Sequence, residues 1–108
     1  MEEELEERVF KALADGSRRL LLDRLFERGG QTQTELTVGL GMTRQAVTKH
    51  LGILEAANLV WSRKEGRERR YLLNPVPIDG IAKRWIAKFE RPQLDALEAL
   101  KKGLEEER

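Results

Sequence analysis

Arg44, Gln45, Thr48 and Lys49 are the residues of this sequence whose types and spacing fit a recognisable chemistry. Val47, Leu51 and Leu54 recur at i, i+4 and i+7 and predict the buried stripe of a helix over about 44–57, with Thr43 as its N-cap. At roughly 100° per residue, the opposite face carries Gln45, Thr48, Lys49 and Gly52, with Arg44 exposed on the first turn. Arginine or lysine can pair with guanine O6 and N7, and glutamine can bridge adenine N6 and N7. The face therefore offers what base edges in a major groove require. Thr43 and the unpaired amides of the first turn suit a phosphate instead.

A run of cations follows. Arg63, Lys64, Arg67, Arg69 and Arg70 surround Gly66 in LVWSRKEGRERRYLL, a stretch that predicts two short strands over about 59–73, turning around Glu65-Gly66-Arg67. Strand alternation groups Arg67 with Arg69 and sets Arg70 opposite. Arg67 and Arg69 near the tip are expected to meet phosphates or a minor groove, with Arg63 and Lys64 as further candidates. The net charge of the whole chain is only +1, yet residues 43–70 hold seven basic residues against three acidic ones. Glu2, Glu3, Glu4, Glu6 and Glu7, with Glu105, Glu106 and Glu107, make both ends acidic. The basic surface is local, and it is what a polyanion would feel.

Other chemistries are poorly supplied. The absence of cysteine excludes disulfides, thiolate metal sites and cysteine nucleophiles. The single histidine, His50, borders the buried stripe and is expected to pack or to make a backbone-facing hydrogen bond, with a phosphate contact as the alternative. Thr37 and Ser62 have no neighbouring base to activate them, and the glycines at 29, 30, 39 and 41 lack the spacing of a phosphate-cradling loop. No catalytic residue, metal ligand or cofactor is expected. The apolar runs fall far short of the roughly 20 residues that span a bilayer, and the N-terminus is acidic where a secretory signal is basic. These features predict a cytoplasmic chain with no membrane partner.

The elements that must position these residues can be read from the rest of the pattern. A chain of 108 residues, 40% hydrophobic, 36% charged and 6% aromatic, predicts one helix-rich domain over 1–108. Leu5, Val9 and Leu13 predict a first helix over about 3–14, interrupted by Asp15-Gly16-Ser17. Leu20, Leu21, Leu25 and Phe26 predict a second over about 17–28, stopped by Gly29-Gly30. Thr34 is a candidate N-cap for a short helix over about 35–40. Asn74-Pro75-Val76-Pro77 separates the hairpin from a C-terminal helical segment over about 78–105, which Pro92 should kink or divide unless it sits in a first turn. The sum is a mainly α chain with a small β-hairpin, a winged helix-turn-helix.

In the C-terminal segment, Ile81, Trp85, Phe89, Leu94, Leu97, Leu100 and Leu104 form a stripe longer than the short helix-turn-helix can cover. It predicts a homodimer through the first and last helices, with Leu5 and Val9 in the seam; the alternative is a stripe folded back as intrachain core. Trp85 and Phe89 could also line a pocket for a small-molecule effector. Trp61 and Tyr71 are expected to pack against the strands. The expected partners are double-stranded DNA, read at a two-fold operator, and a second copy of the chain. A protein-interaction module or dimer scaffold is the competing reading, but it would more often place an apolar patch where Arg44–Lys49 stand.

The strings FKALADGSRRLLLDRL at 10–25 and MTRQAVTKHLGILEAANLVWSRKEGRERRYLL at 42–73 resemble the arsenical-resistance-repressor (ArsR) family of winged-helix transcriptional regulators, over roughly residues 5–100. The resemblance implies a homodimer that binds operator DNA and usually represses transcription. It also implies that Ala14-Asp15-Gly16-Ser17-Arg18 is the turn opening the second helix. The family's metal sensors carry a cysteine pair in the third helix; the matching stretch here is Glu35-Leu36-Thr37-Val38-Gly39, which offers no soft ligand. A second metal site of the family uses aspartate, two histidines and glutamate, and its approximate register falls on Asp79, Ile81, Pro92 and Asp95, without an imidazole. The resemblance is therefore to the metal-independent members.

Overall fold

The computed structural model describes residues 2–86, 88, 89 and 91–106. Glu107 lies outside them. Where the sequence predicts one domain, the chain groups into two compact units, Met1–Ile78 and Asp79–Arg108.

The first unit opens with α1 (Glu2–Leu13) and α2 (Gly16–Glu27). Asp15 caps α2 by accepting from the Arg18 amide at 3.1 Å. That bond comes first in holding the Asp15 carboxyl below its ordinary value, with the Arg18 charge adding to it against the opposing effect of burial. Val9 and Ala12 of α1 and Leu21, Leu22 and Leu25 of α2 enter the core. Val9, expected in a dimer seam, is only 2% exposed and belongs to that core, because α1 lies against both α2 and α4. Leu5 remains about half exposed.

After Gly30, which takes φ +75°, the chain forms an element that periodicity does not predict, the two-residue strand β1 (Gln31–Thr32). Gln31 is buried because its amide donates to the Arg24 and Arg28 carbonyls at 2.8 and 2.6 Å, closing the end of α2. Helix α3 (Gln33–Thr37) starts two residues earlier than expected, since Thr32 rather than Thr34 is its N-cap. Thr32 Oγ1 accepts from the Glu35 amide at 3.2 Å and its hydroxyl donates to the Glu35 carboxylate at 3.3 Å, so Thr32-Gln33-Thr34-Glu35 forms a capping box. Helix α4 (Arg44–Ala56) follows, and Asn58, at φ 60°, turns the chain out of it.

Strands β2 (Val60–Glu65) and β3 (Glu68–Leu73) form an antiparallel hairpin, and β1 adds to β3 to give the order β1-β3-β2. Val60 and Tyr71 are buried; Trp61, expected to pack, lies half exposed on the opposite face beside Leu72, its indole N–H donating to Asn58 Oδ1 at 2.9 Å. The core is completed by Leu36, Val47, Leu51, Leu54 and Leu59. This is a winged helix-turn-helix.

Helix α5 (Val76–Ile81) carries Pro77 in its first turn, a π-type turn spans Ala82–Ile86, and α6 covers Arg91–Glu106. Pro92 is the second residue of α6, where a missing N–H breaks no intrahelical bond, so the break precedes it. In the second unit Lys88 Nζ lies 4.4 Å from the centre of the Trp85 ring, and Lys83 pairs with Asp79 at 3.0 Å. No helix among the described residues is long and apolar enough to cross a membrane.

Candidate nucleic-acid interface

The interface begins with the orientation of α4. Val47, Leu51 and Leu54 are fully buried, which fixes the rotation of the helix and leaves Arg44, Gln45, Thr48, Lys49 and Gly52 exposed on the far side. Thr43 caps the helix as predicted, Oγ1 accepting from the Ala46 amide at 3.1 Å. The side chains of Gln45 and Lys49 have no hydrogen-bond or ion-pair partner among the described residues, so their donors face outward uncommitted. Thr48 differs. Its hydroxyl donates to the Arg44 carbonyl at 2.9 Å, and it accepts from Gln33 Nε2 at 2.7 Å.

Gln33 is a residue that pattern reading misses. Its amide nitrogen also donates to the Arg44 carbonyl at 3.0 Å, so one side chain at the start of α3 holds α4 at both Arg44 and Thr48. No periodicity marks such a residue; the capping box that sets the start of α3 is the signal that could have placed it.

In place of the backbone-facing bond expected of it, His50 meets a side chain: Nδ1 lies 3.3 Å from Arg18 Nη1. Tyr71 sits inside the wing, where burial, reinforced by the Glu55 charge, pushes its phenol up from its ordinary value.

The wing turns through Gly66, at φ +65°, and Arg67. A positive φ at the first central position suits glycine and keeps the strands twisted together. Lys64 and Arg69 are cross-strand partners on one face, Arg63 and Arg70 on the other. Arg69 Nη1 donates to Ser62 Oγ at 2.9 Å, and Ser62 reaches Glu55 of α4 at 3.4 Å, so the inner face of the wing is tied to α4. Arg63 stands 3.7 Å from Glu65, an exposed pair of small worth. Lys64 and Arg67 have no such partner among the described residues.

Arg70 is spent internally. It donates to the Gly30 carbonyl at 2.9 Å and lies 3.1 Å from Glu65, 3.4 Å from Glu68 and 3.8 Å from Glu35. Glu35 in turn accepts from Arg28 at 2.6 Å. Desolvation pushes the Glu35 carboxyl up, but the Arg28 bond and charge, with the two Thr32 bonds, outweigh it and hold the group below its ordinary value. Between α3, α4 and the wing lies a cleft of about 490 Å³ lined by Gln33, Arg44, Arg67 and Arg69 together with the carboxylates Glu35 and Glu68. Three arginines thus border one hollow beside the outward face of α4. No group of three or more acidic or histidine side chains among the described residues could hold a metal ion.

No family model matches the chain. It is 45% identical over 84 residues to the uncharacterized HTH-type transcriptional regulator YuzN of Bacillus subtilis, covering 72% of this chain and 91% of that one. It is 35% identical over 75 residues to the arsenical resistance operon repressor of the same organism, covering 69% and 71%. Among solved structures it superposes, with a TM-score of 0.64 and 27% identity, on the homodimeric winged helix-turn-helix DNA-binding domain of a possible ArsR-family transcriptional regulator from Mycobacterium bovis, covering 80% of this chain and 81% of that one.

Proposed function

The chain belongs to the ArsR family of winged-helix transcriptional regulators, and from that premise we propose that it binds double-stranded DNA as a homodimer at a two-fold operator and represses transcription there. The observation that carries the reading is the division of α4: an apolar side sealed in the core, and an opposite side of uncommitted polar donors beside a cationic wing. Gln45 and Lys49 read base edges, Thr43 and the first-turn amides of α4 take a phosphate, and Arg44 borders both tasks. Lys64, Arg67 and Arg69 meet the backbone or minor groove, with Arg63 at the margin.

The dimer follows from α6. Leu97, Leu100 and Leu104 are 58%, 61% and 59% exposed on one stripe, a surface that a second copy covers. Leu94, Ile81 and the exposed Leu5 extend this seam; Trp85 and Phe89 join it or form the place where a flat apolar effector would bind. The work is recognition rather than catalysis, located with the DNA in the cytoplasm. Selection from a random duplex pool at fixed salt tests the whole reading. Recovery of a two-fold motif is expected, with half-sites about one helical turn apart; a pool with no enriched sequence overturns it.

A further inference from the structure

We infer that Thr48 is a specificity-determining residue that reads a thymine through its 5-methyl group, and that Gln33 is the positioning residue that sets it up. The inference rests on the DNA-binding reading above and names what one position of that interface recognises.

Hydrogen-bond capacity limits what Thr48 can present. A threonine hydroxyl has one proton to give, and Thr48 gives it to the Arg44 carbonyl at 2.9 Å. A carbonyl only accepts, so Gln33 must turn its amide nitrogen toward Arg44, at 3.0 Å, and the same nitrogen then donates to Thr48 Oγ1 at 2.7 Å. The proton is committed and one of the two lone pairs is filled, and both bonds draw the hydroxyl back along the helix toward Arg44. Thr48 is nonetheless exposed, on the same face as Gln45 and Lys49. With the hydroxyl drawn back toward the Arg44 carbonyl, the part of the side chain turned to a base pair is its methyl group. In the major groove the partner of a methyl is the thymine C5-methyl, and threonine methyl contact with it is an established form of base reading. Without Gln33 the hydroxyl loses one of its two anchors and a second rotamer becomes accessible, since threonine in a helix divides between two.

The test uses the duplex recovered by selection, with each thymine replaced in turn by deoxyuridine in both half-sites, and Kd read by fluorescence anisotropy at one salt concentration. One symmetric position is expected to weaken wild-type binding about fourfold per half-site, the worth of one buried methyl. Thr48→Val, which keeps a methyl and loses the hydroxyl, retains that penalty. Thr48→Ser, which keeps the hydroxyl and loses the methyl, abolishes it. Gln33→Ala reduces it, and adding Thr48→Val to Gln33→Ala restores it, a rescue that general loosening of the fold would not give. A thymine methyl that counts equally for wild type and Thr48→Ser overturns the inference, as does loss of the penalty in Thr48→Val, which would mean the hydroxyl reads the base. A selected site indifferent to every deoxyuridine overturns it while leaving DNA binding intact; a failure to select any site removes the premise itself.

Discussion

Arg18 Nη1 stands 3.3 Å from His50 Nδ1, which joins the start of α2 to the middle of α4. The same guanidinium donates to the Ala12 and Lys11 carbonyls at 2.9 and 3.0 Å, so it also closes the end of α1. Three helices therefore meet at one side chain.

Arg18→Ala is expected to destabilise the protein by about 1.5–3 kcal/mol, the range for hydrogen bonds to a charged group. Arg18→Lys recovers only part, since an ammonium cannot reproduce the planar fork. Urea denaturation measures both. An unchanged midpoint in Arg18→Ala would show that the three helices hold without it.

The wing arginines should separate by salt dependence. Arg67→Ala is expected to weaken DNA binding and to lower the slope of log K against log salt by about 0.9 for a phosphate left without its cation, whereas Lys49→Ala is expected to relax specificity at the base pair it reads. Arg70→Gln should leave that slope as it is, because its donors already serve Gly30, Glu65, Glu68 and Glu35. Titrations at several salt concentrations decide the matter. A slope that falls in Arg70→Gln and not in Arg67→Ala would reverse the assignment.

Glu35 gives a pH signature. Its carboxyl is held below the ordinary value in the folded chain, so the unfolded chain binds more protons as the pH drops. The stabilisation is present above the ordinary glutamate value and is lost as the pH falls through the lower folded one. Glu35→Gln should therefore melt below the wild type at neutral pH, with the gap narrowing at an acid pH below the ordinary glutamate value. Circular dichroism melting at both pH values checks this, and a gap of equal size at both would exclude the carboxylate as its source.

Leu100→Glu places a charge on the exposed stripe of α6. Sedimentation at micromolar concentration should show dimers for the wild type and monomers for the variant, with weaker operator binding and little change in the helix content of a monomer. A wild-type monomer would defeat the homodimer.

The α4 face was legible from sequence because three aliphatic residues at i, i+4 and i+7 fix a helix's rotation, and everything opposite them follows. The hairpin was legible because Gly66 and the β-favouring residues flanking it mark a turn and two strands. Strand β1 was not, since two polar residues carry no alternation and Gln31 is buried for its hydrogen bonds rather than for apolar surface. Val9 was misassigned because a stripe says which residues seek cover and not what provides it; here α2 and α4 do. The commitment of Arg70 was equally out of reach, because Gly30 and Glu35 come beside it only through the pairing of β1 with β3.

The buried side chain of Asn74 donates to the Asn58 carbonyl at 2.7 Å, its backbone N–H donates to the Leu59 carbonyl at 2.8 Å, and its Oδ1 accepts from Val76 at 3.2 Å. One residue thus rivets the exit of the sheet to the pivot that ends α4. The consequence is local: replacing Asn74 would loosen the end of β3 and the turn after α4 together, since both are fastened by one side chain.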